Sequence, residues 1–415
     1  MTSSYDSGLR INGQRLWQSL MDMARIGATA GGGCNRQALT QEDQMGRDLF
    51  IRWCEDIGCK VTVDEMGNIF ARREGRNPEL PPVITGSHLD TQPTGGKFDG
   101  VYGVLAGLEV IRTLQEQDIR TDTPLEVVVW TNEEGARFSP AMMGSGVWSG
   151  VFDLNYAWQR TDKAGITLKQ ALDSIGYCGE TPAKARPVKA ALELHIEQGP
   201  ILEQEQRQIG VLTGIQGMYW FDLTIEGQPC HAGPTPMNQR RDPFMGLSSI
   251  TQKLYELAEV HAPWARVTFG DIRAVPGARN TVPERLILAV DLRHPDKSVL
   301  DAMEKAFRQI AENECKRLGL THNIHEEWRL PPVPFDTLCI NAVRNAVDQL
   351  GYPTMEMVSG AGHDAGYLAG VAPTGMIFVP CEKGLSHNEA EHATPEDLEA
   401  GCNVLLQAML DLAQQ

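Results

Sequence analysis

The chain has 415 residues, too many for one ordinary hydrophobic core, so two domains are expected. Hydrophobic residues make up 42%, as in a soluble globular protein, and no apolar run approaches a membrane span, which excludes a helical membrane protein. A net charge of −17 excludes the basic face that nucleic acid requires and reads as a solvated acidic surface; an anionic substrate would need a specific local arginine.

The first segment, MTSSYDSGLRINGQ, lacks the basic-then-apolar pattern of a secretory signal. Nine scattered cysteines without a CxxC pair read as reduced, mostly buried thiols in the cytoplasm, none of them a candidate nucleophile. Ile11, Leu16, Leu20 and Met23 predict a helix within 11–27. Gly31 to Gly33 have no strand before them and no Lys-Ser/Thr after them, so they read as a flexible loop rather than a phosphate loop. A second helix starts near Thr40, with Glu42 and Asp43 in its first turn. Strands at 60–63 and 68–72 flank the turn DEMGN. A strand at 82–87, a loop, a helix at 100–117 and a strand at 125–131 follow. This alternation predicts an α/β sheet with parallel strands, whose sites form at the carboxyl ends.

The texture changes near residue 214. Strand, loop, helix (about 241–258), two strands, helix (about 296–318) and strand predict two βαβ-like halves and a small sheet with helices on one face. LPPVPFD at 330–336 reads as a linker returning to the first domain, which ends with helices at 337–350 and 395–413. Thr394-Pro395-Glu396-Asp397 is a strong helix start. The predicted division is a discontinuous larger domain, 1–213 with 331–415, and an inserted α+β domain, 214–330.

Five residues stand where metal ligands would stand. His88 and Asp99 flank the loop of GSHLDTQPTGGKFDG, just after an apolar run. Glu133 and Glu134 follow the strand LEVVVW and are expected to project from an edge of the sheet. Two adjacent carboxylates are costly there unless cations or protons compensate them. In ALELHIEQGP, the leucines and Ile196 alternate with Glu193, His195 and Glu197, which is equally consistent with a polar strand face. His387 lies in a Gly/Ser loop after MIFVP. Each residue alone is ordinary: a lone histidine is more often a satisfied polar group, and Asp-Gly is a common turn. Together, His88, Asp99, Glu134, His195 and His387 suit zinc, with manganese, cobalt or nickel as alternatives. They can hold two divalent ions if one carboxylate bridges, and Asp99 is the best placed to do so. Two ions would activate a water between them, and Glu133, next to a ligand, suits the general base.

The motifs GSHLDTQPTGGKFDG, TNEEGARF, ELHIEQGP, GQPCHAGPTPM and SGAGHDA resemble the M20-type metallo-amidohydrolases. The resemblance covers nearly the whole chain. It is strongest to the hydantoinase/carbamoylase branch, which contains N-carbamoyl-L-amino acid hydrolases, β-ureidopropionases and allantoate amidohydrolases. It implies a zinc-peptidase-like catalytic domain with an inserted lid or dimerisation domain, and a homodimer through that lid. It also implies that Asp99 bridges two ions, one on His88 and His195, the other on Glu134 and His387, with Glu133 as general base. His231 would polarise the scissile carbonyl. Gln198, Asn280 and Arg293 match substrate contacts, although Arg293 could instead pair with Asp291 or Asp296. The backbone N–H groups of Gly360, Ala361 and Gly362 could meet a substrate carboxylate, with His363 and Asp364 orienting their loop.

The reaction implied is hydrolysis of an N-carbamoyl amino acid, a small anionic substrate, to the amino acid, carbon dioxide and ammonia. Gln92, Lys97 and GARFSPAMMGSGVW are more similar to the β-ureidopropionase and L-carbamoylase side than to allantoate hydrolases. Allantoate hydrolysis, an aminoacylase or peptidase of the wider family, and a non-catalytic binding protein on the same scaffold are the alternatives.

Overall fold

Four strands carry the functional end of the larger sheet. Leu125–Trp130, Val83–His88, Ala190–Ile196 and Thr374–Val379 lie side by side in that order, and all run parallel. Every residue in them is buried. A parallel strand covered on both faces has no solvent side to mark with polar residues. The computed structural model describes residues 8–414. Residues 1–7, the first half of the segment read for a secretory signal, lie outside the described residues.

Helices cover both faces. Val101–Glu116 and Pro395–Gln414, each buried almost all round, pack on one face together with Gly13–Ala24 and Thr337–Leu350. On the other face, Trp148 and Leu368 close a cluster with Phe70, Ile84, Val128, Trp130 and Ala191. The short helices that carry them, Met143–Trp148 and Asp364–Leu368, are too brief for apolar periodicity to announce.

The expectation of a parallel sheet holds for these four strands but not for the whole sheet. Lys60–Val63 and Ile69–Arg73 form an antiparallel hairpin against Leu125–Trp130. Ile209–Ile215 runs antiparallel to Thr374–Val379 on the other side. The hairpin has a short turn, and a parallel pair would need a long crossover. In all, nine strands among the described residues form this sheet.

The described residues divide into two compact units, one from the chain up to Gly214 and from Pro334 onward, the other Ile215–Val333. In the smaller unit, Gly217–Glu226 lies between Arg285–His294 and Thr321–Leu330, antiparallel to both, so the βαβ-like segments do not make a parallel sheet. Tyr219, Phe221, Leu223, Leu288, Val290 and Leu292 meet helices Pro243–Val260 and Lys297–Leu318 on one face. Trp220, Asp222, Asp291 and Arg293, at the alternating positions, lie on the helix-free face.

Close strand packing leaves no room for a side chain at Gly86, where a Cβ would lie 2.0 Å from the Val128 carbonyl oxygen. Gly86→Ala is expected to destabilise the fold by about 3 kcal/mol or more. A urea unfolding midpoint equal to that of the wild type would contradict this account of the sheet.

Candidate metal centre

His88 ends its strand. Its register with the neighbouring strand, Thr85 opposite Leu192, places it level with His195 when continued three residues. Both imidazoles are buried, with ring centroids 6.1 Å apart. The loop through Gly95 and Gly96 brings Asp99 back to the same end, just before Val101–Glu116. Asp99 Oδ1 lies 3.2 Å from His195 Nε2 and 3.7 Å from His88 Nε2. Its other oxygen, Oδ2, lies 3.3 Å from His387 Nε2, which is 3.2 Å from Glu134 Oε2. Donor atoms therefore gather in two groups that share Asp99: His88, Asp99 and His195, then Asp99, Glu134 and His387, each within 4.8 Å. Glu133 joins them, its Oε2 3.4 Å from His88 Nε2. The Glu133-Glu134 pair leaves the carboxyl end of Leu125–Trp130, an interior strand flanked by the hairpin, and so lies at the rim of the sheet.

Neighbouring groups aim these side chains. His88 Nδ1 donates to the Asp90 carbonyl and His195 Nδ1 to the Ile196 carbonyl, both at 2.8 Å, which turns each Nε2 toward Asp99. Gln92 donates its backbone N–H and its amide to the two oxygens of Glu134, at 3.1 and 2.7 Å. Gln198, in the left-handed region at φ 57°, donates its amide to Asp99 Oδ2 at 3.0 Å and Ser386 Oγ at 3.1 Å. It meets the shared carboxylate directly.

Two buried acids escaped the sequence reading. Asp90 accepts the N–H groups of Glu133 at 3.3 Å and Glu134 at 3.2 Å, tying two strand ends together. Glu391 accepts those of Phe98 at 2.9 Å and Asp99 at 3.1 Å, and the Ser386 hydroxyl at 3.0 Å. Asp90 was signalled only by standing two residues past His88. Glu391 had no signal beyond its place in the His387 loop.

Crowded carboxylates set the charge state. Burial, then the charges of Asp364 and Glu134, push the Glu133 carboxyl well above its usual range. Burial also opposes charge on Asp99, but hydrogen bonds with His195 and His387 outweigh it and hold Asp99 well below its usual range. Burial disfavours charge on His195, yet Asp99 lifts it to about 9. His387 is lifted to about 10 by its bonds to Asp99 and then Glu134. Crowded carboxylates of this kind call for positive charge beside them. Imidazole and carboxylate donors around a shared aspartate fit that demand for divalent cations.

Other expected contacts fare differently. The Ala361 N–H is donated to Ser359 Oγ at 3.1 Å, so it is not presented to a substrate; Gly360 and Gly362 flank it in the same loop. His363 is buried 4.7 Å from the His195 ring, with Nε2 2.9 Å from Ser359 Oγ, a structural placement. The even-handed reading of a polar strand face also fails: Glu193 is buried, accepting from Ser87 Oγ at 2.7 Å and the Ala365 N–H at 2.9 Å.

In the smaller unit, Thr281 pairs with His231 and the Ala232 N–H donates to the Asn280 carbonyl at 3.0 Å, so His231 and Asn280 are neighbours. Both are exposed. Arg293 makes the competing ion pair with Asp291, through Nε and Nη2 at 2.8–3.1 Å. Asp296 instead caps Lys297–Leu318.

A profile of peptidase family M20/M25/M40 matches residues 84–411. The chain belongs to this family. It is 47% identical to an N-carbamoyl-L-amino-acid amidohydrolase of Rhizobium meliloti, over 98% of this chain and 97% of that one. It is 34% identical to an allantoate amidohydrolase of Bacillus subtilis, over 94% and 95%. A solved hydantoinase/carbamoylase family amidase from Burkholderia multivorans superimposes with a TM-score of 0.93 at 53% identity, covering 98% of this chain and 99% of that one. As an M20 member the chain is a hydrolase with a mixed α/β sheet core, and its gathered imidazoles and carboxylates accord with the family's dependence on metal.

Two predictions follow from this geometry. Gly100 has φ 67°, and a Cβ there would lie 2.3 Å from the His88 ring. Gly100→Ala is expected to lower metal affinity at least about tenfold, judged from the cost of disturbing groups around metal ligands. Equal affinity in a chelator competition would refute it. The second concerns pH. Folded values of about 10 for His387 and about 9 for His195 exceed the ordinary 6.5. Their stabilisation is full below pH 6.5 and is lost as pH rises through the folded values. The raised Glu133 acts with the same sign, and the lowered Asp99 acts only at acid pH. Metal-free protein should therefore lose thermal midpoint between pH 6.5 and 9, and metal-loaded protein much less. Parallel curves with and without chelator would contradict this.

Proposed function

We propose that this M20 hydrolase cleaves the ureido C–N bond of N-carbamoyl amino acids. One observation carries the reading: in a chain 47% identical to an N-carbamoyl-L-amino-acid amidohydrolase, the two oxygens of Asp99 face separate donor sets, beside a protonatable Glu133. His88 and His195 would hold one divalent ion, Glu134 and His387 a second, with Asp99 shared; zinc suits the donors best. When bound, the ions supply positive charge that polarises a carbonyl and makes water a better nucleophile near neutral pH.

The remaining chemistry belongs to side chains. Water adds to the ureido carbon, and Glu133 takes its proton. The bond to the amino-acid nitrogen breaks, Glu133 returns the proton to that nitrogen, and the carbamate left behind yields carbon dioxide and ammonia. Arg293 is proposed to take the substrate carboxylate, since a planar donor suits it and the chain's net charge of −17 makes a local cation necessary. Asp291, paired with Arg293, would hold the guanidinium flat. His231 and its neighbour Asn280 are proposed to meet the developing oxyanion. Gln198 would contact substrate from its place beside Asp99.

The smaller unit is also the proposed homodimer contact: Pro243–Val260 leaves Phe244, Met245, Tyr255 and Val260 exposed, and apolar patches of this kind mark interfaces. Nine free thiols support a reducing, cytoplasmic setting. Among the described residues, no helix is long and apolar enough to cross a membrane.

The test measures metal content and ammonia release from N-carbamoyl-L-amino acids, N-carbamoyl-β-alanine and allantoate. Release from the first class supports the proposal; release from allantoate alone reassigns the substrate. A metal-loaded enzyme that frees no ammonia from any of them sinks it. Glu133→Gln is expected to keep its metal and lose turnover about 100- to 10,000-fold. Near-normal turnover would remove Glu133 as the base.

A further inference from the structure

The glycines at 31–33, read from the sequence as a flexible loop, are packed against two ligand-bearing loops. A Cβ on Gly33 would lie 2.3 Å from the Gly95 carbonyl oxygen and 2.7 Å from the Glu389 Cα. Gly95 belongs to the loop that delivers Asp99, and Glu389 to the loop of His387. The next residue, Cys34, exchanges both backbone hydrogen bonds with Gly95, at 2.9 and 3.0 Å. Further on, the carbonyls of Ala38 and Leu39 accept from Arg137 Nη1 at 3.0 and 2.6 Å, which fixes the loop after Glu134.

Arg36 is the centre of this segment. It is 1% exposed, and among the described residues it forms no ion pair with a carboxylate. Its guanidinium donates instead to the Leu89 carbonyl at 2.8 Å, the Met23 and Ile26 carbonyls at 3.1 and 2.7 Å, and Cys34 Sγ at 3.2 Å. Its backbone N–H donates to Thr91 Oγ1 at 2.8 Å. Burying a guanidinium without a counter-charge is costly, and its rigid fork reaches acceptors on two sides at once, which the single nitrogen of a lysine cannot. Both ends of its grip fall on either side of Asp90, whose carbonyl turns His88 and whose carboxylate holds the Glu133-Glu134 backbone.

We propose that residues 27–39 form a strap that holds the ligand loops in register, with Arg36 as a positioning residue for His88 through Leu89 and Asp90. Arg36 touches neither substrate nor ion in this role. It sets where His88 Nε2 and the Glu133-Glu134 pair stand relative to Asp99. The proposal rests on the metal-centre reading above.

The experiment loads wild type, Arg36→Met and Arg36→Lys with cobalt(II). It records the visible absorption of the ion, its affinity by chelator competition, kcat and KM, and the thermal midpoint without metal. Both variants should bind cobalt about 10- to 100-fold more weakly, the range found when groups behind metal ligands are removed. Their cobalt spectra should change, and kcat should fall with KM within threefold. Lysine should not rescue, because the fork and not the charge does the holding. Wild-type affinity and spectrum in either folded variant would overturn the proposal. If neither folds, Thr91→Val, which removes the hydroxyl that accepts from the Arg36 N–H and itself donates to the carbonyls of Cys34 and Gln92, decides in the same assays: an altered spectrum supports the strap and a wild-type one overturns it. A wild-type protein that binds no cobalt would instead overturn the metal-centre reading itself, and the two failures are thereby told apart.

Discussion

A carboxylate buried to 4% exposure cannot remain ionised without nearby positive charge, and Asp99 is such a carboxylate. Much else in the larger unit serves that constraint. One oxygen faces His195 and His88, the other His387, and the Gln198 amide lies against the second. Glu391 fixes the backbone N–H groups at Phe98 and Asp99, which places the Asp99 side chain beside its partners. The acids around it would repel one another in the absence of cations. The same crowding raises the affinity of His195, His387 and Glu133 for protons. The same field that raises Glu133 makes it a group able to accept and return a proton once positive charge lies beside it.

The parallel strands explain how groups from residues 88 to 391 meet. Each strand end contributes one loop: His88 and Asp90 from one, Glu133 and Glu134 from the next, His195 and Gln198 from the third, His387 and Glu391 beyond the last. Parallel neighbours put all four ends on one rim, which an antiparallel sheet would divide between two. The helix beginning at Val101 then returns the chain to the sheet, leaving Asp99 at the rim.

The smaller unit is built on a different principle. Its sheet is antiparallel and helix-covered on one face only, so polar groups can occupy the other. Arg293 and Asp291 are paired there, and His231 and Asn280 are brought together by the short ladder between Cys230–His231 and Thr281–Val282. A chain with a net charge of −17 repels anions overall, so a directional arginine is the means by which it could retain one.

Composition and pattern determined the class of fold, the existence of an inserted segment and the imidazole and carboxylate residues that gather at the strand ends, because buried strands, capped helices and His or acidic residues at strand ends leave local marks. His88, Glu133, Glu134 and His195 were legible for that reason. Local marks did not reveal which strands run antiparallel, that Glu193 is buried, that Ser359 takes the Ala361 N–H, or that Gly33 and Arg36 lie against the ligand loops. These depend on contacts between residues tens or hundreds of positions apart. Asp90 and Glu391 look like any loop acids in the sequence. Only the folded chain places backbone N–H groups around them, since the partners of a buried polar group are chosen by tertiary packing and not by neighbours in the chain.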